Sequence, residues 1–474
     1  MARRLSATPS LASLRQRVAG PVVGQSDAGY DAARRLYSPR FDGVMPLAVV
    51  YATSAADVSQ TIRWARQNGV RIAARCGGHS YAGYSTRGGG VVIDVSRLDA
   101  VTYDPARQTA RIGAGARLMD VYAKLAQRGV TVPAGSCPTV GIAGLALGGG
   151  IGFASRKLGL TCDNIVSLTI VTADGVPRPC KPGRNADLLW ACKGSGGGNF
   201  GIVTSFTFRT HPVSTVATYR ATWPWSQAAT ALRAWQGWAP GAPDALFSMM
   251  GLTATDSGQR LIGSQGQYFG TAAQLTAELQ QLFAVTGPPA SLELLELPYL
   301  DAMLKWANCS EASHCSLGDG VGRSTYAAKS DFFAAAMPPA GITAALAAIE
   351  GRAAAPAAGS ILFDAYGGVI NRVPKAATAF VHRSMRFSAQ YIASWNIAGG
   401  DPPAAAAISW LRSTRAAQRP HASGFAYQNY IDADLTGWGH AYYGANYARL
   451  RRIKRRFDPA NVFRFPQSIV PAPR

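Results

Sequence analysis

The sequence predicts an α+β protein built as two lobes, and three observations carry that expectation. The chain has 474 residues, 48% of them hydrophobic, more than one ordinary core accommodates. Over residues 1–212, short apolar strands alternate with amphipathic helices and with three Gly-rich segments. From about residue 213, Ala-rich helical patterns alternate with longer strands, the texture of an antiparallel sheet with helices on one face.

The first lobe opens on a strand, LAVVYAT (47–53). Ser54 then caps a helix that keeps Val58, Ile62 and Ala65 on one face. RIAAR (71–75) is a second strand and runs into Cys76-Gly77-Gly78-His79-Ser80, a turn that excludes helix. VVIDV (91–95) follows, then a hairpin around Pro105 and a helix marked by Leu118, Val121, Tyr122 and Leu125. After the Gly-rich stretch 141–152, IVSLTIVTADG reads as strand and turn, and GIVTSFTFRTHP (201–212) closes the lobe. The second lobe, 213–432, offers helices at 271–285, 341–354 and 402–417 and strands at 260–269, 360–370, 386–395 and 424–431. The final segment, 433–474, carries a helix stopped at Asp458-Pro459 and is expected to return to the first lobe.

The formal charge is +21, but Lys and Arg are spread along the chain. Their densest cluster, Arg449, Arg451, Arg452, Lys454, Arg455 and Arg456, faces away from Tyr447, Leu450, Ile453 and Phe457 on a helical pattern. That predicts a solvated face; attraction of an acidic substrate or surface is the alternative. No apolar run long enough for a membrane span is present. The first twenty residues hold an Arg pair and no continuous apolar core, so they do not read as an intact secretory signal. Cytoplasmic and exported bacterial locations both stay open, as do monomer and homodimer. Seven cysteines are present; Cys309 and Cys315 are placed to bridge a short loop, and Cys180 and Cys192 flank another. No spacing suits a metal site.

Chemistry concentrates in the Gly-rich segments. In RCGGHSYAG, glycines after a strand allow backbone N–H groups to gather around phosphate oxygens. A histidine beside such a turn serves as a base, a ligand or a core hydrogen-bonding residue, and the residue types leave all three open for His79. PAGSCPTVGIAGLALGGGIG (133–152) lacks the strand–turn–helix and trailing acidic residue of a dinucleotide fingerprint. By its setting alone Cys137 reads as a core residue. LLWACKGSGGGNFGIVTSF (188–206) is a third close approach of backbone. Three such segments joined to strands point to a large phosphate-bearing cofactor.

Together with LTCDNIVSLTIVTADG and the ending NYIDADLTGWGHAYYGANYARLRRIKRRFDPANVFRFPQSI, these motifs resemble the berberine-bridge-enzyme-like flavoproteins, a branch of the vanillyl-alcohol-oxidase superfamily, over roughly residues 20–470. The resemblance implies a two-subdomain FAD-binding lobe of the PCMH type under a substrate lobe. It implies FAD held by two covalent bonds, 8α-histidyl through His79 and 6-S-cysteinyl through Cys137. Arg75, Gly77, Gly78, Ser80, Gly141, Gly144, Gly149, Gly150, Asn199 and Gly201 would line the cofactor, with Ile202 and Val203 at the adenine end. YQNYID (427–432) matches the family's catalytic strand, with Tyr430 as base, Asp364 as its support and Tyr366 on the same side. Gln390 and Tyr391 would line the substrate, and the small Val140 resembles the oxygen-reactive members. The function implied is oxidation of a sugar, glycoside or other small alcohol with dioxygen as acceptor, without nucleic acid or membrane partners. Cys76 departs from the family's usual Ser or Gly.

Two readings compete on the same fold: oxidative C–H or ring-closure chemistry, and dehydrogenase action on a secondary metabolite. A flavin-binding protein without turnover and a basic nucleic-acid binder are the readings from other classes; the Gly-rich segments with His79 and Cys137 argue against the last.

Overall fold

The computed structural model describes residues 10–353, 358–395 and 402–473. A small sheet opens the fold, with strands Val22–Gly24, Ala48–Tyr51, Val91–Asp94 and Ile72–Arg75 in that order and the last three parallel. Helix Ala55–Gln67 connects Ala48–Tyr51 to Ile72–Arg75. It starts where Ser54 Oγ accepts the Asp57 N–H at 3.1 Å. Every residue of Val91–Asp94 is buried, because the sheet is covered on both faces, and its sequence is correspondingly a continuous run rather than an alternation.

The second sheet is antiparallel: Val101–Asp104, Thr109–Gly113, Ile202–Arg209, Ile165–Val171 and Pro177–Cys180. These two sheets, the helices beside them and the C-terminal helix Tyr447–Phe457 share one hydrophobic core. The third sheet has seven antiparallel strands in the order Ser291–Pro298, Thr215–Trp223, Arg260–Tyr268, Leu246–Ala254, Gly359–Ala365, Phe387–Ser394 and Tyr326–Phe333. Ile361, Phe363, Phe387 and Tyr391 on one face pack with Trp235, Leu279, Ile349 and Leu411 from helices Ala228–Trp238, Ala272–Thr286, Pro339–Ala353 and Pro402–Gln418. The opposite face is turned to the first lobe.

The pattern of residues 424–431 suggests a strand, but the chain there makes a single 3-10 turn, Gln428–Tyr430. Side chains outcompete a ladder at this point. Tyr427 N–H bonds to Ser330 Oγ at 3.0 Å, and the Gln428 amide donates to the Gly148 carbonyl at 2.8 Å. The strand expected over 360–370 stops at Ala365, where Gly367 takes a φ of 105° and a short helix, Gly368–Arg372, begins. In the third sheet, the strands Thr215–Trp223, Leu246–Ala254, Ser291–Pro298 and Tyr326–Phe333 are additional to those read from the sequence.

Cys309 and Cys315 form a disulfide, whereas Cys180 and Cys192 are buried free thiols. Among the described residues no helix is long and apolar enough to cross a membrane, and no cluster of His, Cys, Asp or Glu is arranged to hold a metal.

Candidate active site

Strand Ile72–Arg75 delivers the turn that carries His79, and its last residue is clamped by a buried ion pair between Arg75 and Asp94. Gly77 and Gly141 let this turn touch the one that carries Cys137. A Cβ on Gly77 would stand 2.5 Å from Gly141 N and 2.8 Å from Thr139 O. A Cβ on Gly141 would stand 2.7 Å from Gly77 N. No side chain fits at either position, so the two glycines bring His79 and Cys137 to the wall of one cavity.

That cavity measures about 520 Å³. The first lobe lines it with Arg75, Gly77, Gly78, His79, Ser80, Cys137, Val140, Gly141 and Gly144, and with the loop 196–199 followed by Gly201, Ile202 and Val203. Cys137, Gly144 and Gly197 are exposed residues in an otherwise buried region, and all three line the cavity. Gly149 and Gly150, expected along the cofactor, do not line it. A Cβ on Gly149 would meet Phe380 at 2.8 Å and one on Gly150 would meet Thr161 at 2.3 Å, so these glycines serve internal packing. The Gly150 N–H is spent on Tyr427 Oη at 2.8 Å.

The third sheet lines the other side. Period-two alternation turns Phe247, Met249, Leu362, Asp364, Gln390 and Ile392 to the cavity. Tyr391 therefore points the other way, into the helix-covered core, and the expectation that it lines substrate is corrected. Tyr366 lies one residue past its strand, fully buried edge-on to Phe332 with ring centroids 5.3 Å apart, and does not reach the cavity. Tyr430 does reach it from the Gln428–Tyr430 turn. Its ring stacks on Tyr81 at 5.5 Å and meets Tyr427 edge-on at 4.8 Å. Tyr81 in turn accepts the Gln390 amide at 2.9 Å, joining the two lobes across the cavity. Sequence reasoning missed Tyr81 and Tyr427, which line the cavity, and Thr139, whose Oγ1 lies 2.9 Å from His79 Nε2, although all three lie inside the Gly-rich and catalytic-strand motifs.

Lys454 departs from the solvated face expected for its helix. It is wholly buried and donates to the carbonyl of Asn199 at 2.6 Å, to that of Phe463 at 2.7 Å and to Asp458 Oδ2 at 2.7 Å. Asn199 Oδ1 also accepts the Ile469 N–H at 2.8 Å. The C-terminal segment thus fastens the loop 196–201. Lys454→Met removes three hydrogen bonds and leaves Asp458 uncompensated, which will cost about 3–5 kcal/mol; chemical denaturation of the parent and the variant measures it.

Electrostatics sort the titratable groups. Burial, helped by the positive charge of Arg117, lowers His79 to about 4, so its ring is neutral at neutral pH. Desolvation raises the Cys137 thiol above its ordinary value, and burial pushes Cys76, against Gly141, to about 11. Burial raises Asp364 to about 7, and among the described residues only the Ser388 hydroxyl, at 3.3 Å, donates to it. Burial, then Asp364 and the neighbouring tyrosines, hold Tyr430 well above the ordinary phenol value.

Known proteins resemble this chain along nearly its whole length. Residues 46–180 match the family model of an FAD binding domain, and residues 426–470 match that described as berberine and berberine like. An uncharacterized FAD-linked oxidoreductase of Bacillus subtilis, YvdP, is 36% identical over 458 residues, spanning 96% of this chain and 99% of that protein. The solved structure of Physcomitrella patens BBE-like 1 superposes with a TM-score of 0.90 at 33% identity, covering 98% of this chain and all of that one. A chitooligosaccharide oxidase superposes with a TM-score of 0.87 at 26% identity, covering 98% of this chain and 99% of that one.

Proposed function

This chain belongs to the berberine-bridge-enzyme-like family of FAD-linked oxidoreductases, and on that premise we propose that it oxidises the C–OH carbon of a small alcohol, sugar or glycoside and passes the electrons to dioxygen. The observation that carries the reading is the pairing, in one cavity, of His79 and Cys137 on one side with Tyr430, Asp364 and Gln390 on the other.

The residues present fit FAD. Gly144, whose missing Cβ would meet nothing within 4 Å, leaves a flat wall free for a ring system. Arg75 lines the same cavity, and its buried Nη1 has no hydrogen-bond partner among the described residues, a donor suited to a phosphate oxygen. His79 would hold the flavin through its 8α carbon and Cys137 through its C6. Bound FAD supplies the hydride acceptor; the protein supplies position and proton transfer.

On this reading the substrate hydroxyl lies against Tyr430, with Gln390 and Tyr81 orienting it by hydrogen bonds. A phenol held well above its ordinary value does not ionise in advance. Tyr430 therefore accepts the hydroxyl proton only as its own is drawn off, and Asp364, poised at about 7, is the group able to keep it. Leu362, Ile392, Met249 and Phe247 exclude water around the reacting carbon. Val140, small and on the cavity wall, leaves room for dioxygen.

The sign of the pH dependence follows from Asp364. Its carboxylate must be ionised to receive the proton, so kcat/KM will fall as pH drops through about 7. Asp364→Asn will flatten that limb and lower the plateau by about 100-fold. A panel of sugars and primary and secondary alcohols, scored by hydrogen peroxide release, tests the reaction itself. Substrate-dependent flavin reduction without peroxide would favour a dehydrogenase, and reduction by none of the panel would sink the alcohol reading.

A further inference from the structure

We propose that Thr139 is the positioning residue that presents His79 for covalent attachment of FAD, an inference that rests on His79 being an anchor. Thr139 is 1% exposed, and its Oγ1 lies 2.9 Å from His79 Nε2. Tyr37 stacks on the same imidazole, with centroids 4.0 Å apart and planes 21° from parallel. The ring is therefore held by one edge and one face. Neither support can drift. The Tyr37 N–H bonds to the Gly78 carbonyl at 3.2 Å, and the Thr139 carbonyl is packed against Gly77 where a Cβ would be only 2.8 Å away.

Nε2 is engaged by Thr139 Oγ1, the Thr139 backbone carbonyl also acts on the ring, and no hydrogen bond to Nδ1 is found among the described residues, while His79 lines the cavity. When Thr139 accepts the Nε2–H, the tautomer is fixed and the lone pair sits on Nδ1. Burial and Arg117 keep the ring neutral, the state a nucleophile requires. In the attachment step the Nδ1–C bond to the 8α carbon forms and one C–H bond of that methyl group breaks. The electron pair of the C–H bond passes through the flavin ring to dioxygen. Two protons, one from the methyl group and one from His79 Nε2, balance those taken up by hydrogen peroxide. Thr139 Oγ1 accepts the Nε2–H as a hydrogen bond and does not hold the proton, which leaves to solvent as the alkylated ring returns to its neutral form. Its role is orientation, and it does not touch substrate.

The test isolates the His79 bond by working in a Cys137→Ala background. Intact mass after acid denaturation reports covalent FAD, and filtration of native protein reports total FAD. Cys137→Ala alone is expected to carry covalent flavin. Adding Thr139→Val should leave total binding and melting temperature near those of Cys137→Ala. The rate of attachment, followed by mass after reconstitution with FAD, should fall by about 10–100-fold, as expected when a reacting group loses its alignment. Thr139→Ser, which keeps the hydroxyl, should restore it. Equal attachment rates with Val and with Thr at 139 would overturn the positioning role while His79 remained the anchor. No covalent flavin in Cys137→Ala would overturn the anchor and the inference with it. A Val variant that binds FAD poorly is read through Thr139→Ser; slow attachment there despite normal binding and folding would also count against the hydroxyl.

Discussion

Tyr430→Phe will keep its flavin and its fold and lose about 10²–10⁴-fold in turnover, the contribution of a positioned proton acceptor. The substitution removes one oxygen and leaves the ring. The stack on Tyr81 at 5.5 Å and the edge contact with Tyr427 at 4.8 Å are made by ring carbons and survive. The turn itself is held by the Gln428 amide on the Gly148 carbonyl, which is untouched. What disappears is the phenol proposed to take the substrate proton. Rapid-mixing measurement of flavin bleaching under saturating substrate separates this step from binding and reoxidation. Bleaching as fast as in the parent would assign the proton to another group, with Asp364 and Tyr427 the next to change.

Gly144→Leu will fold and bind FAD about 10–100-fold more weakly than the parent. Gly144 lies in helix Ile142–Leu147, where Leu is a better helix former than Gly. Its Cβ position is open, since nothing stands within 4 Å of it and the residue lines the cavity. The new side chain costs the apoprotein nothing and occupies the space proposed for the flavin. Overpacking of this kind costs about 1–3 kcal/mol, or about 10–100-fold in cofactor affinity before any covalent bond forms. The measurement is flavin absorbance per mole of protein alongside thermal melting of the apo forms. Less flavin per mole of protein, with an unchanged apo melting temperature, is expected. A fully flavinylated, active Gly144→Leu would mean that the flavin lies elsewhere.

Much of the first lobe is legible in the sequence because its signals are local. Ser54 as a cap, the Pro105 hairpin and the strand–glycine junction at 75–77 are all set by nearest neighbours in the chain. The three Gly-rich segments likewise mark the cavity wall through residue type alone, since each needs close backbone approach. Sequence and structure part where the answer lies in tertiary contacts. Tyr391 and Gln390 are adjacent, and only the covering helices decide which face is the core. Residues 424–431 carry strand-forming side chains, yet amide groups reaching distant loops hold Gln428–Tyr430 as a turn. Lys454 belongs to a basic run by sequence and is buried because Asn199, Asp458 and Phe463 offer it three acceptors. Gly149 and Gly150 look like phosphate glycines and instead make room for Phe380 and Thr161. Composition cannot distinguish a glycine that faces a ligand from one that faces a side chain.

We propose that FAD is tied to this cavity at His79 and at Cys137. Acid precipitation, with intact mass of the denatured protein, tests it in the parent, His79→Ala, Cys137→Ala and the double variant. Yellow pellets and a mass raised by one FAD are expected in the parent and in each single variant, with release of all colour to the supernatant in the double variant alone. Colour that leaves the parent protein on precipitation, or a double variant that still carries covalent flavin, would contradict it.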